Sequence, residues 1–345
     1  MKKRPSLEEL AKMLGVSKSL VSFVINNKAE KYGISPETKK RVLDTIQQLG
    51  FQPNSFARSL RTGRSHSIGL IIPDISNPFY SAIASKIESL AYEAGYRVFI
   101  SNTKEVKERE DDLLSTFING NTADGIILAS CAADAESIQK IVPKKYPLVL
   151  LDRVLNDLEI PSVSIENFES TMEMTQHLIS QGCKKIGLLA ISPIHISSIK
   201  ARVDGYKKAL QKNKLAIKDN LIKQIPFHLQ REKTREEIKD LVENEKVDAV
   251  LVLNNCLAKY CVEVFDDLNV PVPSKLKFAS FDDSELFIYM KPAVSVIAQP
   301  IEELAEQAFK KLWDAIRRRN NEEVPDDEEK QVVLKPNLIF RNSTK

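Results

Sequence analysis

Apolar residues recur at helical spacing in the first fifty positions of the chain and predict three short helices. One apolar face lies within 7–14, a second consists of Leu20, Val21 and Val24, and a third lies within 36–49. The three faces together can form a small shared core, which is marginal by itself for a segment of this length.

Polar residues at the ends of these segments predict where the helices begin and end. Ser6 and Glu9 have the spacing of a capping box, and Gly15 can end the first helix because glycine adopts positive φ easily. Ser17 can cap the second helix, and the stretch beginning at Ser35 can cap the third. Two short helices joined through a glycine are typical of the helix-turn-helix, although an ordinary helical hairpin gives the same pattern.

From Ser67 onward the pattern changes to apolar strands that alternate with amphipathic helices. This alternation predicts parallel sheets that are covered by helices on both faces. Two such runs, each of roughly 100 residues, predict two α/β lobes. We expect a first lobe of about 66–165 plus 295–325, and a second lobe of about 166–294 plus 326–345.

A segment without a core of its own connects the two parts. Within 51–65, residues 57–61 could form about two helical turns, which are unstable alone in water. We expect this helix to form only against DNA or a partner copy. The predicted organisation is a helix-turn-helix domain at 1–50, a hinge helix or linker at 51–65 and a core at 66–345.

The ends of the predicted strands are rich in carboxylates, amides and aromatic rings. In open parallel sheets, ligands bind at the carboxyl ends of the strands, so two facing lobes would gather these residues around one cleft. Hydroxyl groups of a sugar suit carboxylate and amide partners, and an aromatic ring can cover an apolar sugar face. The same residue types also start turns and cap helices, which is the structural alternative for each of them. These strand ends are Asp74–Phe79, Asp152–Arg153, Ser192 onward, Asn254–Asn255 and Phe281–Asp283.

Charge is distributed unevenly along the chain, whose net charge is only +3. Residues 1–64 contain 13 Lys and Arg against 5 Asp and Glu, whereas the remainder contains 37 against 42. A basic head on a mildly acidic body fits a phosphate-binding module, with a solvated basic face as the alternative.

Several classes of protein lack their usual signals in this sequence. There is no apolar run of the roughly 18 residues that a membrane helix needs, and no apolar segment follows the basic N-terminus as in a secretory signal. We therefore expect a cytoplasmic protein with no membrane association. The four scattered cysteines predict no metal site, and we find no nucleophile elbow, P-loop or dinucleotide fingerprint, so we expect neither an enzyme nor a cofactor.

The ordered set of motifs resembles the lactose-repressor (LacI/GalR) family of bacterial transcription regulators. The resemblance implies a helix-turn-helix head, a hinge helix and a core like that of periplasmic sugar-binding proteins. It also implies a homodimer, alone or paired into a tetramer, that binds a pseudo-palindromic operator under the control of a small, sugar-type effector. A solute-binding or sugar-processing protein without DNA control is the alternative. The matching stretches are LAKMLGVSKSLVSFVINNK, the segment from Ile34 to Tyr80, VLLDR, RVDG at 202–205 and SFDDSELFIYMKPAVSVIAQP.

The resemblance also implies roles for individual residues. Base reading is implied for Lys18 and Ser19, and minor-groove insertion for Leu60 with Ala57 beside it. Phosphate contacts are implied for Ser17, Ser22, Asn26, Thr38 and Asn54. The candidate effector-binding residues are Asn77, Phe79, Asp152, Ser198, Arg202, Asn254 and Asp282, among which Arg202 could donate two hydrogen bonds to ligand oxygens.

Two positions in the head depart from the family pattern. Phe23 replaces an arginine that commonly reads guanine, and a phenyl ring can only pack against bases or touch a thymine methyl. The loop at 27–34 is longer than usual and contains Tyr32. We therefore expect an operator that differs from the usual one of the family.

Overall fold

The protein divides into two compact units, Met1–Ser65 and His66–Lys345, which we call the head and the core. The computed structural model describes residues 6–49, 64–155, 159–325 and 329–345. The predicted hinge helix, with its candidate DNA contacts Asn54, Ala57 and Leu60, lies outside the described residues.

The head contains the three predicted helices, α1 (Leu7–Leu14), α2 (Lys18–Ile25) and α3 (Pro36–Leu49). The predicted capping box is confirmed, because Ser6 accepts a hydrogen bond from the Glu9 amide while Glu9 accepts one from the Ser6 amide. Gly15 ends α1 with a φ of 64°. Ser17 caps α2 by accepting from the Leu20 amide at 3.1 Å.

A small apolar cluster holds the three head helices together. It is formed by buried side chains of all three helices and of the loop that follows α2. With so few apolar groups, the hydrogen bonds at the helix ends are a large share of what stabilises the head. The buried members of this cluster are Leu10, Ala11, Val21, Val24, Ala29 and Val42.

The core contains two sheets of six strands each, flanked by helices. The strands are β1 (Ser67–Ile72), β2 (Arg97–Asn102), β3 (Gly125–Leu128), β4 (Leu148–Leu151), β5 (Ser162–Ile165), β6 (Ile186–Ser192), β7 (Ile222–Pro226), β8 (Ala249–Val252), β9 (Lys277–Phe281), β10 (Ser295–Ala298), β11 (Gln331–Leu334) and β12 (Asn337–Ile339). The helices are α4 (Pro78–Glu93), α5 (Lys107–Asn119), α6 (Ala135–Gln139), α7 (Asn167–Ser180), α8 (Ser197–Lys212), α9 (Gln230–Lys239), α10 (Asn255–Asp267), α11 (Glu285–Tyr289) and α12 (Ile301–Arg319).

The two sheets have equivalent strand orders, and each forms the centre of one lobe. The first sheet runs β2-β1-β3-β4-β5-β11 and is parallel throughout. The second runs β7-β6-β8-β9-β10-β12, with only β12 antiparallel to its neighbour. The central strands are buried, as expected for parallel sheets with helices on both faces.

Our assignment of the last segments to the two lobes was wrong in part. β10, expected in the first lobe, pairs with β9 of the second sheet, and β11, expected in the second lobe, pairs with β5 of the first. α12 lies against α4 in the first lobe. Apolar periodicity identifies a strand but not its neighbour, which depends on which sheet edge is open when the chain returns.

Gly205 allows α7 and α8 to approach closely in the second lobe. A Cβ atom at this position would lie 2.3 Å from the Phe168 carbonyl oxygen and 3.1 Å from the Met172 amide nitrogen. Both atoms belong to the backbone of α7, so neither can rotate away. A side chain at Gly205 can therefore be accommodated only if the two helices separate.

We expect Gly205→Ala to lower the free energy of unfolding by about 2 kcal/mol, as is typical of overpacking in a tight interface. Equilibrium denaturation in urea measures this change. Lys208→Ala is the matched control, because Lys208 is exposed on the same helix. Equal stability of the Gly205 and Lys208 variants would contradict the close approach.

Candidate ligand cleft and nucleic-acid interface

A cavity of about 340 Å³ lies between the two lobes at the carboxyl ends of the strands. Its walls come from both sheets, as expected for a ligand site in open parallel sheets. The cavity brings together all seven residues that we predicted to bind an effector, although their role in binding stays a prediction. These are Asn77, Phe79, Asp152, Ser198, Arg202, Asn254 and Asp282.

Two aspartates occupy equivalent positions in the two lobes. Asp152 follows β4 and Asp282 follows β9, which are the fourth strands of the two equivalent sheet orders. Both residues have a φ of 66°, and both are almost fully buried. Asparagine and aspartate tolerate this left-handed conformation better than most residues, so the residue type suits the backbone as well as the cleft.

Asp152 is only partly satisfied by its protein neighbours. The Tyr80 hydroxyl donates a hydrogen bond to Asp152 Oδ2 at 2.8 Å, and burial raises the pKa of Tyr80 well above its usual value, so this hydroxyl keeps its proton. Asp152 Oδ1 is buried and has no hydrogen-bond partner among the described residues. A buried acceptor of this kind is costly unless a ligand or water donates to it.

Asp282 is held by a residue from the loop after β10. Gln299 Nε2 donates a hydrogen bond to Asp282 Oδ1 at 2.5 Å, while Gln299 Oε1 is buried without a partner in the described part of the chain. Burial raises the pKa of the Asp282 carboxyl, and the positive charge of Arg202 opposes this effect. Burial therefore makes the ionised form of Asp282 less favourable than it is in water.

Arg202 is engaged by the second lobe through two of its five N–H donors, so its donation of two hydrogen bonds to ligand oxygens stays a prediction for the remaining donors. Its Nε donates to Asn167 Oδ1 at 2.7 Å, and its Nη1 donates to the Leu253 carbonyl oxygen at 2.9 Å. The guanidinium carbon lies 3.5 Å from the centre of the Phe281 ring. A buried guanidinium needs such partners because an uncompensated charge is expensive away from water.

The remaining nitrogen of Arg202 faces the first lobe. Nη2 lies 3.9 Å from Asp152 Oδ1, which is an ion pair but too long for a hydrogen bond. The gap lies between a donor and an acceptor that belong to different lobes. A ligand group there could accept from Arg202 and donate to Asp152 at once, which is what a hydroxyl can do.

Asn77 and Asn254 cap helices at the cleft. Asn77 Oδ1 accepts from the Phe79 amide at the start of α4, and Asn254 Oδ1 accepts from the Cys256 and Leu257 amides at the start of α10. The structural alternative considered for amides at strand ends therefore holds for both residues. Each keeps its side-chain NH2 group as the part that a ligand could use.

Sequence reasoning placed Arg153 at a strand end beside the cleft but missed its partner Glu105 and several other residues. Arg153 donates two hydrogen bonds to Glu105, at 2.9 and 2.5 Å, so this buried pair is neutral overall. No pattern links the two residues, which are 48 positions apart. Gln299 stands at the end of a predicted strand, which is the one signal that could have identified it. The other residues missed at this site are Tyr80 and Asn167.

The head places most of its predicted DNA contacts along one side of α2. Lys18 and Ser19 are exposed at the start of the helix, and Ser22 and Asn26 follow at helical spacing. Asn26 Nδ2 donates to the Ser22 carbonyl oxygen at 2.7 Å, so Asn26 also closes the C-terminal end of α2. Thr38 lies in the first turn of α3, where its amide donates to Ser35 Oγ at 3.2 Å.

Phe23 lies on the same side of α2, and its ring is covered by a second aromatic residue. The ring of Tyr32 stacks on it, with 3.8 Å between the ring centres and 8° between the planes. The sequence marks both residues as unusual but does not show that they meet.

Similarity to known proteins places the chain in a class of regulators. Residues 6–54 match the model of bacterial regulatory proteins of the lacI family, and residues 175–344 match a periplasmic binding protein-like domain. The chain is 30% identical to catabolite control protein A of Priestia megaterium over 99% of both chains. It is 29% identical to the ribose operon repressor of Halalkalibacterium halodurans over 91% of each. The structure of the lac repressor dimer bound to operator and the anti-inducer ONPF has the same fold, with a TM-score of 0.79, 20% identity and 99% of both chains covered.

The chain is therefore a DNA-binding transcription regulator with a ligand-binding core, and not an enzyme. It belongs to the LacI family, which confirms the resemblance found in its motifs. Among the described residues, no helix is both long and apolar enough to cross a membrane.

The burial of Asp282 predicts a pH-dependent effect on stability. Because its pKa is raised in the folded state, the native protein binds this proton more tightly than the unfolded chain, and stability is lost as pH rises through the folded pKa. Asp282→Asn removes this loss. We expect the variant to melt roughly 2 °C above the wild type at pH 8, with the difference shrinking toward pH 4.

Thermal unfolding of the ligand-free protein between pH 4 and 8 measures this difference. Asp266→Asn is the control, because Asp266 is exposed on α10. If Asp282→Asn followed the wild type at every pH, the carboxylate would carry no desolvation cost in the folded protein.

Proposed function

We propose that this regulator binds a pseudo-palindromic operator as a homodimer and represses transcription under the control of a sugar-type effector in the interlobe cleft. The observation that carries the proposal is the cleft itself. It gathers buried acceptors from both lobes in a chain that belongs to the LacI family. An effector that favours one arrangement of the lobes changes operator affinity, since both sites respond to the same equilibrium.

The acceptors in the cleft favour a neutral ligand with several hydroxyl groups. Asp152 Oδ1 and Gln299 Oε1 are buried acceptors without partners in the described protein, so each calls for a donor from the ligand. Asp152 lies within ion-pair distance of both Arg202 and Arg153, and Arg153 also pairs with Glu105. The unpaired acceptors favour ligand hydroxyls, which can donate to them, over a phosphate or carboxylate, which cannot. The name of the ribose operon repressor from Halalkalibacterium halodurans also points to a sugar.

In the head, the proposed roles are those that the family resemblance implies for each residue. Lys18 and Ser19 read base edges, Phe23 packs against bases, and Leu60 inserts into the minor groove with Ala57 beside it. The remaining contacts fix the register on the phosphates, and they are Ser17, Ser22, Asn26, Thr38 and Asn54.

Dimerisation is assigned to the core, because two heads must be held at a fixed spacing to match two half-sites. The core exposes large apolar side chains that a partner copy could cover, and α11 carries three of them. Because the operator is genomic DNA, we also assign the protein to the cytoplasm. The most exposed of these apolar residues are Tyr92, Leu286, Ile288, Tyr289 and Val333.

A thermal-shift screen tests the effector proposal. A neutral sugar at 100 times its Kd should stabilise the protein by about 2.7 kcal/mol, while its phosphate ester should produce no shift. Asp152→Asn should abolish the shift, since it replaces an acceptor at the cleft centre. Asp204→Asn, on the exposed side of α8, should retain it. A shift by the phosphate ester alone would contradict a neutral effector.

Binding-site selection followed by titration tests the DNA proposal. Lys18→Ala should weaken binding to the selected operator by roughly tenfold, because a base-reading side chain is lost. Lys12→Ala is the matched control, since it removes the same charge from the exposed side of α1. If the two variants lost affinity equally, Lys18 would act only through its charge.

A further inference from the structure

The loop after α2 gives Tyr32 a fixed position in the head. The Tyr32 amide donates to the Lys28 carbonyl oxygen at 3.3 Å, and the Ile34 amide donates to the Ala29 carbonyl oxygen at 2.9 Å. Gly33 closes this turn with a φ of 65°. Ala29 is buried in the head's apolar cluster, so the turn is anchored to the same core that positions α2.

From this turn, Tyr32 covers one face of the Phe23 ring. The near-parallel stack at 3.8 Å restricts how the Phe23 ring can rotate, because rotation of the phenyl ring would collide with the tyrosine. Tyr32 nevertheless remains 51% exposed. This exposure leaves part of its ring accessible to DNA, which a residue that only fastened the loop would not need. The pair therefore presents one aromatic surface on the side of α2 that carries Ser19 and Ser22.

A phenylalanine can select a base only through shape. Its ring has no donor for guanine and no acceptor for adenine or cytosine, and it can distinguish thymine by packing against the C5-methyl group. Such a contact depends on where the ring edge lies. A ring that rotated freely on the helix surface would discriminate poorly.

We propose that Tyr32 is a positioning residue for base selection, which holds the Phe23 ring in the orientation that packs against a thymine methyl at one base pair of each half-site. The inference rests on the proposed operator binding by α2. The rival interpretation is that the stack only fastens the loop to α2 and has no effect on which base is chosen.

Binding-site selection with the full-length protein separates the two interpretations. For Tyr32→Ala, we expect the preference at one symmetry-related base pair to fall by roughly five- to tenfold, the low end of what a single mismatch costs. The preferences at the other positions of each half-site should persist. Phe23→Ala should relax the same position, and the double variant should relax it no further, because both residues act through one contact.

Tyr32→Phe is the conservative variant and should keep the wild-type profile, since it retains the stacked ring. If Tyr32→Phe relaxed the profile as Tyr32→Ala does, the hydroxyl would contact DNA directly and the positioning role would be overturned. A uniform loss of affinity with an unchanged profile would also overturn it, in favour of a loop fastener.

Two further measurements keep the test decisive. Circular dichroism shows whether each head is folded. If Tyr32→Ala unfolds the head, Tyr32→Leu is used in its place, because leucine keeps apolar contact with Phe23. Leucine lacks a flat face, so this variant should relax the same base-pair position. If the wild type itself selected no sequence, the proposed operator binding would fail, whereas a wild-type operator with an unaltered Tyr32→Leu profile would overturn only the positioning role.

Discussion

The cleft depends on one buried cation, the guanidinium of Arg202. The second lobe holds it through Asn167, the Leu253 carbonyl and the Phe281 ring, and none of these contacts needs a ligand. Its remaining nitrogen lies 3.9 Å from Asp152 of the first lobe, and this attraction crosses the cleft without a hydrogen bond. The second lobe thus positions the cation, while acceptors without partners remain in both lobes. A ligand that bridges the two lobes gains interactions that the empty protein lacks, which is the condition for a bound molecule to shift a conformational equilibrium.

Asp152 and Asp282 illustrate how a binding site opposes stability. Each is a buried carboxylate at the end of a strand, and each has one donor from a neighbouring side chain, Tyr80 or Gln299. These side-chain donors do not fully replace the water that an ionised carboxylate loses on burial. For Asp282, burial raises the pKa, which is the direction that this cost predicts. The arrangement is unfavourable for the empty core and favourable once hydroxyl donors enter, so affinity for the ligand and stability of the empty protein are in competition.

The head shows a different balance between local and tertiary effects. Its helix ends are fixed by short-range hydrogen bonds such as those of Ser6 and Ser17, which can be read from the order of residues. The arrangement of its outer surface cannot be read from neighbouring residues, because Phe23 and Tyr32 meet only when the loop folds back over α2. Phe23 read alone is a missing guanine reader. Stacked on Tyr32 it becomes part of a larger aromatic surface, which changes what the same side chain can do.

The sequence by itself determined the helix ends, the buried strands, the class of fold and the family, because these follow from apolar periodicity, capping residues and ordered motifs that act over a few positions. It also identified seven residues that line the cleft. Tertiary structure alone decided that β10 joins the second sheet and β11 the first, the reverse of what was expected. Pairing depends on the sheet edge that is available to the returning chain. It also decided that Arg202 donates hydrogen bonds to Asn167 and the Leu253 carbonyl, that Arg153 pairs with Glu105 and that Tyr32 stacks on Phe23. Each of these contacts joins residues whose separation along the chain carries no periodic signal, so only the packed lobes and the closed loop bring them together.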